Sequence, residues 1–399
     1  MTEDSESPQH LKPRRHRVLR GIAISLAVLL VVVATGGFFV YQHLNRNITV
    51  EDVAPDIGPD RPTEQAVEGP RKPVDILLLG SDTRKGQGGS IGGDTPGLSD
   101  ATILLHVSAD RKRTYGVSLP RDAMVQRPAC KRKDGQGTAP AELSMFNAAY
   151  AVGGPACTIK TVEQLTGIRV EHFVVIDFKG FKKMVDALGG VEVCVPREVN
   201  DTTGNIYLPA GTYNVKGQRA LDYVRVRHDI GTSENGDIGR MRRQQTFLAA
   251  MVNKAVSAGT LLNPVRLYKF LDEATKSLTT DPGLGSIGKM RSLSSSLDGI
   301  NLDQVKFLTV PFEAYEPDPN RLQWAPDADR LWAQLRADKP LGKRFSGAAT
   351  SAADEGKKDK KKAGSASPSP TDSASPSGSA SPTPSAEATR VAAENGLCA

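Results

Sequence analysis

The feature that most constrains this chain is an uncharged run, GIAISLAVLLVVVATGGFFVY, at residues 21–41. Roughly 20 apolar residues at about 1.5 Å each cross the hydrocarbon core of a bilayer, and a helix satisfies its own backbone groups there. Lys12, Arg14, Arg15, Arg17 and Arg20 precede the run, whereas Arg46, Glu51 and Asp52 follow it. Basic flanks stay on the cytoplasmic side. This predicts a cytoplasmic tail (1–20), a signal anchor (21–41) and an exported remainder, the topology of a single-pass type II membrane protein. A cleaved leader fits less well. Its apolar region spans about 7–15 residues, and here Phe38, Phe39, Val40 and Tyr41 continue past the small residues Ala34, Thr35 and Gly36.

Composition divides the rest. Residues 42–73, with Pro55, Pro59, Pro62 and Pro70, read as an extracellular linker. Residues 341–399 are rich in Ser, Pro and Ala, hold a basic cluster at 357–362, and have too few large apolar residues for a core. Disorder is the expectation there. Residues 74–340 suffice for one substantial core. Apolar or alternating runs at 74–79, 101–108, 114–119, 170–177, 191–195 and 304–310 predict strands. The stretches 142–151, 161–165, 178–188, 240–257, 263–275, 284–297 and 327–337 predict helices, and 221–226 reads as a strand or a short helix edge. Strands alternating with helices favour one layered α/β or α+β domain.

The net charge of +6 is modest, and no recognition helix or broad positive stripe accompanies it, which argues against a nucleic-acid partner. Cys130, Cys157, Cys194 and Cys398 fit an oxidising exterior, and three complete pairings are open. Cys130 and Cys157 flank one predicted helix. Cys194 either pairs with Cys398 or stays free. Their separations give no zinc pattern. Nucleotide loops, the GxSxG turn and the HExxH motif are all missing. His106 and His172 read as partly packed strand residues.

Candidate chemistry lies where polar residues abut apolar strands. The 74–79 run leads into Gly80, Ser81, Asp82, Thr83 and Arg84; Ser99 and Asp100 open the next; Pro120, Arg121 and Asp122 close the 114–119 run. Strand ends hold side chains rigidly. Asp82 and Asp100 are candidate ligands for Mg²⁺, which takes few protein carboxylates and keeps water and phosphate oxygens. The competing role is Asx-turn hydrogen bonding. A second group comprises Arg225, Arg227, Arg240, Arg242 and Arg243, with Gln244 and Gln245. Arg225 and Arg227 share a face if 223–227 is extended, and Arg240 and Gln244 share a helix face. Guanidinium forks suit phosphate oxygens; a solvated basic helix face is the plainer account.

In this order, VDILLLGSDTR (74–84), SDATILLHV (99–107), YGVSLPRDAMV (115–125), MFNAAYAVGG (145–154), the stretch 161–196, GQRALDYVRVRH (217–228) and GDIGRMRRQQ (236–245) resemble the LytR–CpsA–Psr family of cell-wall glycopolymer transferases. The resemblance implies a mixed α/β, α-β-α layered fold: a central mixed sheet with helices on both sides enclosing an apolar lipid-binding site. It implies transfer of a glycopolymer from a polyprenyl-diphosphate carrier to peptidoglycan, forming a phosphodiester. Mg²⁺ is the implied cofactor, and pyrophosphatase activity an implied side reaction. Carried over by position, Asp82 and Asp100 hold the metal, and Asp82, Arg84, Asp100 and Arg121 are catalytic. Arg121, Arg225, Arg227, Arg240 and Gln244 bind phosphate. One departure stands out: many members carry Arg two residues before the second Asp, where this chain has Leu98. Either Arg84 supplies that charge instead or the chain relies on its other arginines. A non-enzymatic polyprenyl-phosphate sensor or wall-attachment scaffold would use the same binding residues.

Overall fold

The computed structural model describes residues 14–64, 67, 71–82, 97–195, 197–227, 236–296, 304–347 and 349–351. The apolar run lies within one helix, Arg14–Asn47. From Leu19 onward this is a single N-terminal helix long and apolar enough to cross a membrane, with its apolar side chains exposed.

The helix does not end in a free spacer. His43 Nε2 contacts Asp272 Oδ1 at 2.9 Å, and Asn47 Nδ2 donates to Asp272 Oδ1 at 2.9 Å and Thr275 Oγ1 at 3.2 Å. Asn45 Oδ1 accepts the Ile287 N–H at 2.8 Å. Leu44 and Ile48 are buried. The stretch 42–73, read above as a linker, supplies an edge strand (Thr49–Val50) and a short helix (Ala54–Ile57) whose Val53 and Ile57 enter the main core. At the other end, Lys343–Ser346 is helical with Phe345 buried, and Thr350–Ser351 pairs with the sheet. The expected tail beyond 351 lies outside the described residues.

The central sheet has eight strands in the order Thr49–Val50, Leu278–Thr280, His172–Asp177, Val74–Ser81, Ser99–Val107, Thr114–Leu119, Val305–Thr309, Thr350–Ser351. It is mixed. Val74–Ser81 runs parallel to His172–Asp177 and antiparallel to Ser99–Val107. Thr114–Leu119 is antiparallel to Ser99–Val107 and parallel to Val305–Thr309. The carboxyl ends of four strands and the amino end of Ser99–Val107 therefore share one edge.

The two faces of the sheet are packed differently. Side chains alternate between faces with a period of two. Leu77, Leu104, Val117 and Phe173 share one face and are fully buried against helices Ala148–Thr166 and Asp327–Arg336, which bring Ile159, Val162, Leu331 and Trp332. The other face carries Ser118 and Thr309, to which Gln245 donates at 2.8 and 3.0 Å. That places helix Asp237–Val256 over it. Helices Phe178–Ala187 and Gly217–Arg225 pack beside it around a second core of Val185, Val193, Val224 and Phe247. On this second face Leu78, Leu105, Val174 and Ile176 are only half-buried, although they lie on inner strands. Inner strands covered by helices on both faces ordinarily bury both sides.

Two local readings change. Glu142–Met145 is a strand paired with Met124–Arg127, and the helix starts at Ala148. That helix continues through Pro155 to Thr166, with Gly153 and Gly154 non-helical at a kink rather than a terminus. A Cβ on Gly153 would meet the Lys131 carbonyl at 2.6 Å, so the chain crosses close there. Cys157, in this helix, is bonded to Cys130. Cys194 is also disulfide-bonded and not a free thiol; Cys398 lies outside the described residues.

Candidate active site

The shared edge of the sheet gathers the polar residues. Gly80 pairs with Ala101 but Ser81 pairs with Ser99, so Asp100 is an extra residue without a partner. This is a β-bulge, a device that re-aims one side chain at a strand end. The bulged carboxylate forms an ion pair with Arg121 Nη1. Arg121 directly follows Pro120 at the end of its strand, and its carbonyl accepts the Asn147 N–H at 3.1 Å.

Asp237 begins helix Asp237–Val256, where a carboxylate suits the positive end of the helix dipole. Its Oδ1 collects three guanidinium groups: Arg240 Nη2 at 2.7 Å, Arg227 Nη2 at 3.2 Å and Arg121 Nε at 3.3 Å. Arg227 also reaches Asp122 Oδ2 at 3.5 Å, and Arg240 Nη1 donates to the carbonyl of bulged Asp100 at 3.0 Å. Three arginines thus meet three carboxylates. Burial opposes the Arg121 charge, but Asp100, Asp237 and Asp122 outweigh it and hold this guanidinium above the usual arginine range. Burial dominates at Arg240 and draws it down, despite Asp237.

The cluster is incompletely satisfied. Arg121 Nε, Arg227 Nε and Asp237 Oδ2 are buried without hydrogen-bond partners. Arg113, Arg127 and Arg243 also leave a buried Nε unbonded, so one such atom is no signature. Here Arg227 Nε and Asp237 Oδ2 occur together, beside an Arg121 Nε that approaches Asp237 Oδ1 as an ion pair without hydrogen-bond geometry. A buried polar group without a partner calls for an explanation, and an absent ligand is one.

The remaining expected site residues have other surroundings. The Asp82 N–H donates to the Leu98 carbonyl at 3.1 Å, and Asp82 Oδ1 accepts the Leu98 N–H. Asp82 therefore clasps the two ends of the intervening segment, and Leu98 contributes its backbone. Arg84 lies outside the described residues. Arg225 is exposed at the last turn of helix Gly217–Arg225 and stacks over Phe178 at 5.0 Å. The backbone is helical up to Arg225 and extended only after it, so the two-residue spacing does not align Arg225 with Arg227. Among the described residues no ion pair joins Arg225 to the cluster. Gln244 Nε2 donates to the Val224 carbonyl at 3.2 Å. Arg243, whose guanidinium burial pulls down to about 10, donates through Nη2 to the Val226 carbonyl. Both brace the segment that delivers Arg227.

Asp237 was not foreseen as a member of the site, and Asp122 was named at its strand end without a role. The available signal for Asp237 was an acid in a helix first turn, three residues before Arg240. Among the described residues no group of three or more His, Cys, Asp or Glu could hold a metal ion. That bears on Mg²⁺ only weakly, because this ion is usually bound through one or two carboxylates plus phosphate.

A mixed α/β domain that follows a helix long and apolar enough to cross a membrane, with an arginine–aspartate cluster at its strand ends, defines the class. The LytR_cpsA_psr family pattern matches residues 40–337, and the chain belongs to that family. It is 37% identical over 217 residues to the "Probable cell wall biosynthesis protein LcpB" of Corynebacterium glutamicum, covering 52% of this chain and 48% of that protein. The chain thus spans about half the length of that relative. It is 27% identical over 323 residues to the "Polyisoprenyl-teichoic acid--peptidoglycan teichoic acid transferase TagV" of Bacillus subtilis, covering 79% of this chain and 76% of that protein. In fold it is similar to a LytR-Csp2A-Psr enzyme from Actinomyces oris, with a TM-score of 0.55, 22% identity, and coverage of 72% of this chain and 95% of that one.

Proposed function

We propose that this chain transfers a glycopolymer from a polyprenyl-diphosphate carrier to peptidoglycan on the exported side of the membrane, forming a phosphodiester. Family membership and the transferase name of the Bacillus subtilis relative support this reading. The observation that carries it is the cluster of Arg121, Arg227 and Arg240, with Arg227 Nε buried and lacking an acceptor and Arg121 Nε held only in an ion pair, beside a half-buried apolar sheet face. A diphosphate offers the missing oxygens. Leu78, Leu105, Val174 and Ile176 offer a lining for the polyprenyl chain.

In the reaction a peptidoglycan hydroxyl attacks the glycan-proximal phosphorus. The bond from that phosphorus to the bridging oxygen breaks, and polyprenyl phosphate leaves with the electron pair. Arg121, Arg227 and Arg240 orient the diphosphate and stabilise the charge that builds on its oxygens. The acceptor proton passes to a carboxylate of the site, with Asp82 a candidate base. Asp82 and Asp100, on neighbouring strand ends, fit Mg²⁺: among the described residues their side-chain bonds engage only Oδ1 of each. When bound, the ion supplies charge neutralisation at the phosphoryl oxygens.

The test is full-length protein incubated with a diphosphate-lipid glycan and peptidoglycan, with and without Mg²⁺, scored for covalent product. Loss of product in a folded Arg227→Ala/Arg240→Ala variant is expected; undiminished transfer by that variant sinks the phosphate clamp. Tight binding of the lipid without any covalent product would favour the sensor or scaffold reading.

A further inference from the structure

Helix Asp237–Val256 starts in the arginine cluster and, at about 1.5 Å per residue over its length, carries the chain roughly 30 Å away from it. Its far end connects through the short helix Ala258–Leu261 to helix Pro264–Ser277. At this turn apolar side chains emerge from the protein. Val256, Leu261 and Tyr268 are exposed, Val265 is 63% exposed and Leu262 82%. Among the described residues outside the anchor, only Val50, Leu143 and Tyr207 are comparably exposed large apolar side chains, and they are scattered. Single exposed apolar residues are ordinary; a contiguous group marks a contact surface.

Two observations say what covers it. The first is the grip on the anchor. His43 meets Asp272, and four residues later Asn47 meets both Asp272 and Thr275. Later residues of one helix meet later residues of the other, so the two run in the same sense. The amino-terminal turns of Pro264–Ser277, with Val265 and Tyr268, therefore lie beside the residues preceding His43, which form the outer end of the apolar run. The second is charge. Lys254, Arg266 and Lys269 surround the turn, and no Asp or Glu occurs between residues 238 and 271. An apolar tip ringed by bases, with a Tyr at its margin, matches the apolar edge and anionic headgroups of a leaflet. Two copies of such a tip would repel each other.

We infer that the 256–268 turn is a second membrane contact. Leu261, Leu262 and Val265 enter the leaflet through which the anchor emerges, and Lys254, Arg266 and Lys269 sit at its headgroups. The domain is then fixed to the bilayer at two points, with the arginine cluster at the opposite end of helix Asp237–Val256. This inference stands apart from the transfer chemistry, and its test requires no turnover.

The full-length chain carrying Leu262→Trp, and separately Val265→Trp, is reconstituted in vesicles of phosphatidylcholine and phosphatidylglycerol, with or without bromine on the upper acyl carbons. Emission from the native Trp324 and Trp332 is subtracted with the unaltered chain. The inference expects blue-shifted emission from both new tryptophans and loss of most of it in the brominated vesicles. Red, unquenched emission from both variants overturns it. Blue-shifted emission insensitive to bromine, with cross-linking between two copies through this turn, assigns the surface to self-association and equally overturns it.

Discussion

At one end of strands Val74–Ser81 and Ser99–Val107, Asp75 lies opposite His106 in register; at the other end lie Asp82 and the bulged Asp100. The first cluster is closed. His106 Nδ1 donates to Asp75 Oδ1 at 2.8 Å and Nε2 to Asp338 Oδ1 at 3.3 Å, while Asp338 Oδ2 accepts the Ala109 N–H at 3.0 Å. Burial opposes the His106 charge, yet Asp75 and Asp338 override it and push its pKa up to about 9. The second cluster holds more charges, three arginines and three carboxylates, and leaves Arg227 Nε and Asp237 Oδ2 buried without hydrogen-bond partners. The same two strands thus carry one set of charges centred on a fully bonded histidine and one set less completely matched. Charge density alone does not identify a site; incomplete satisfaction at a strand edge is the better guide.

Substitutions separate the two ends. Arg240→Ala removes a buried donor from the open cluster and is expected to slow transfer by about 10²–10³-fold, the cost of losing one preorganised charge-stabilising group; covalent product per folded molecule measures it. His106→Ala leaves Asp75 buried without its cation, while Asp338 keeps Arg113, and is expected to cost ~3 kcal/mol in urea unfolding, with transfer per folded molecule unchanged. Equal losses of transfer in the two variants would break the distinction.

The closed cluster also predicts a pH dependence. The folded state holds the His106 proton up to about pH 9, whereas the unfolded chain releases it near pH ~6.5. Its stabilisation is complete below pH ~6.5 and drains away as the pH rises through about 9. Denaturation midpoints across this window should fall in the unaltered chain and stay flatter in His106→Gln. The smallest effect is expected at Arg225→Ala. An exposed cation–π contact is worth ~0.5–1 kcal/mol, and transfer should match that of the unaltered chain. A large loss of transfer there would return Arg225 to the phosphate site.

The sequence exposed what depends on local pattern. The long apolar helix was legible because an uncharged run of that length has few other uses. Arg121 and Asp100 were legible because each abuts an apolar strand. Features that depend on pairing between distant segments were hidden. His106 looked like a partly packed strand residue; its role emerges only when antiparallel register sets it opposite Asp75. The bulge at Asp100 is likewise a property of two strands. The stretch 42–73 looked like a spacer because its strand has two residues and its helix four, held in place by Val53 and Ile57 rather than by propensity. Arg225 and Arg227 looked like neighbours because the helix end between them cannot be read from an alternating sequence.

The bulge also leaves a seam between architecture and chemistry. Asp100 has no partner across the ladder, so deleting it would leave Ser99 opposite Ser81 and Ala101 opposite Gly80, as they already stand. A one-residue slip elsewhere in a strand turns every following side chain to the wrong face; here the register would absorb it. The Arg121-paired carboxylate is an insertion at the margin of a sheet whose pairing does not require it. A deletion variant lacking Asp100 would therefore keep the strand ladder intact and remove the carboxylate together with the carbonyl that Arg240 uses.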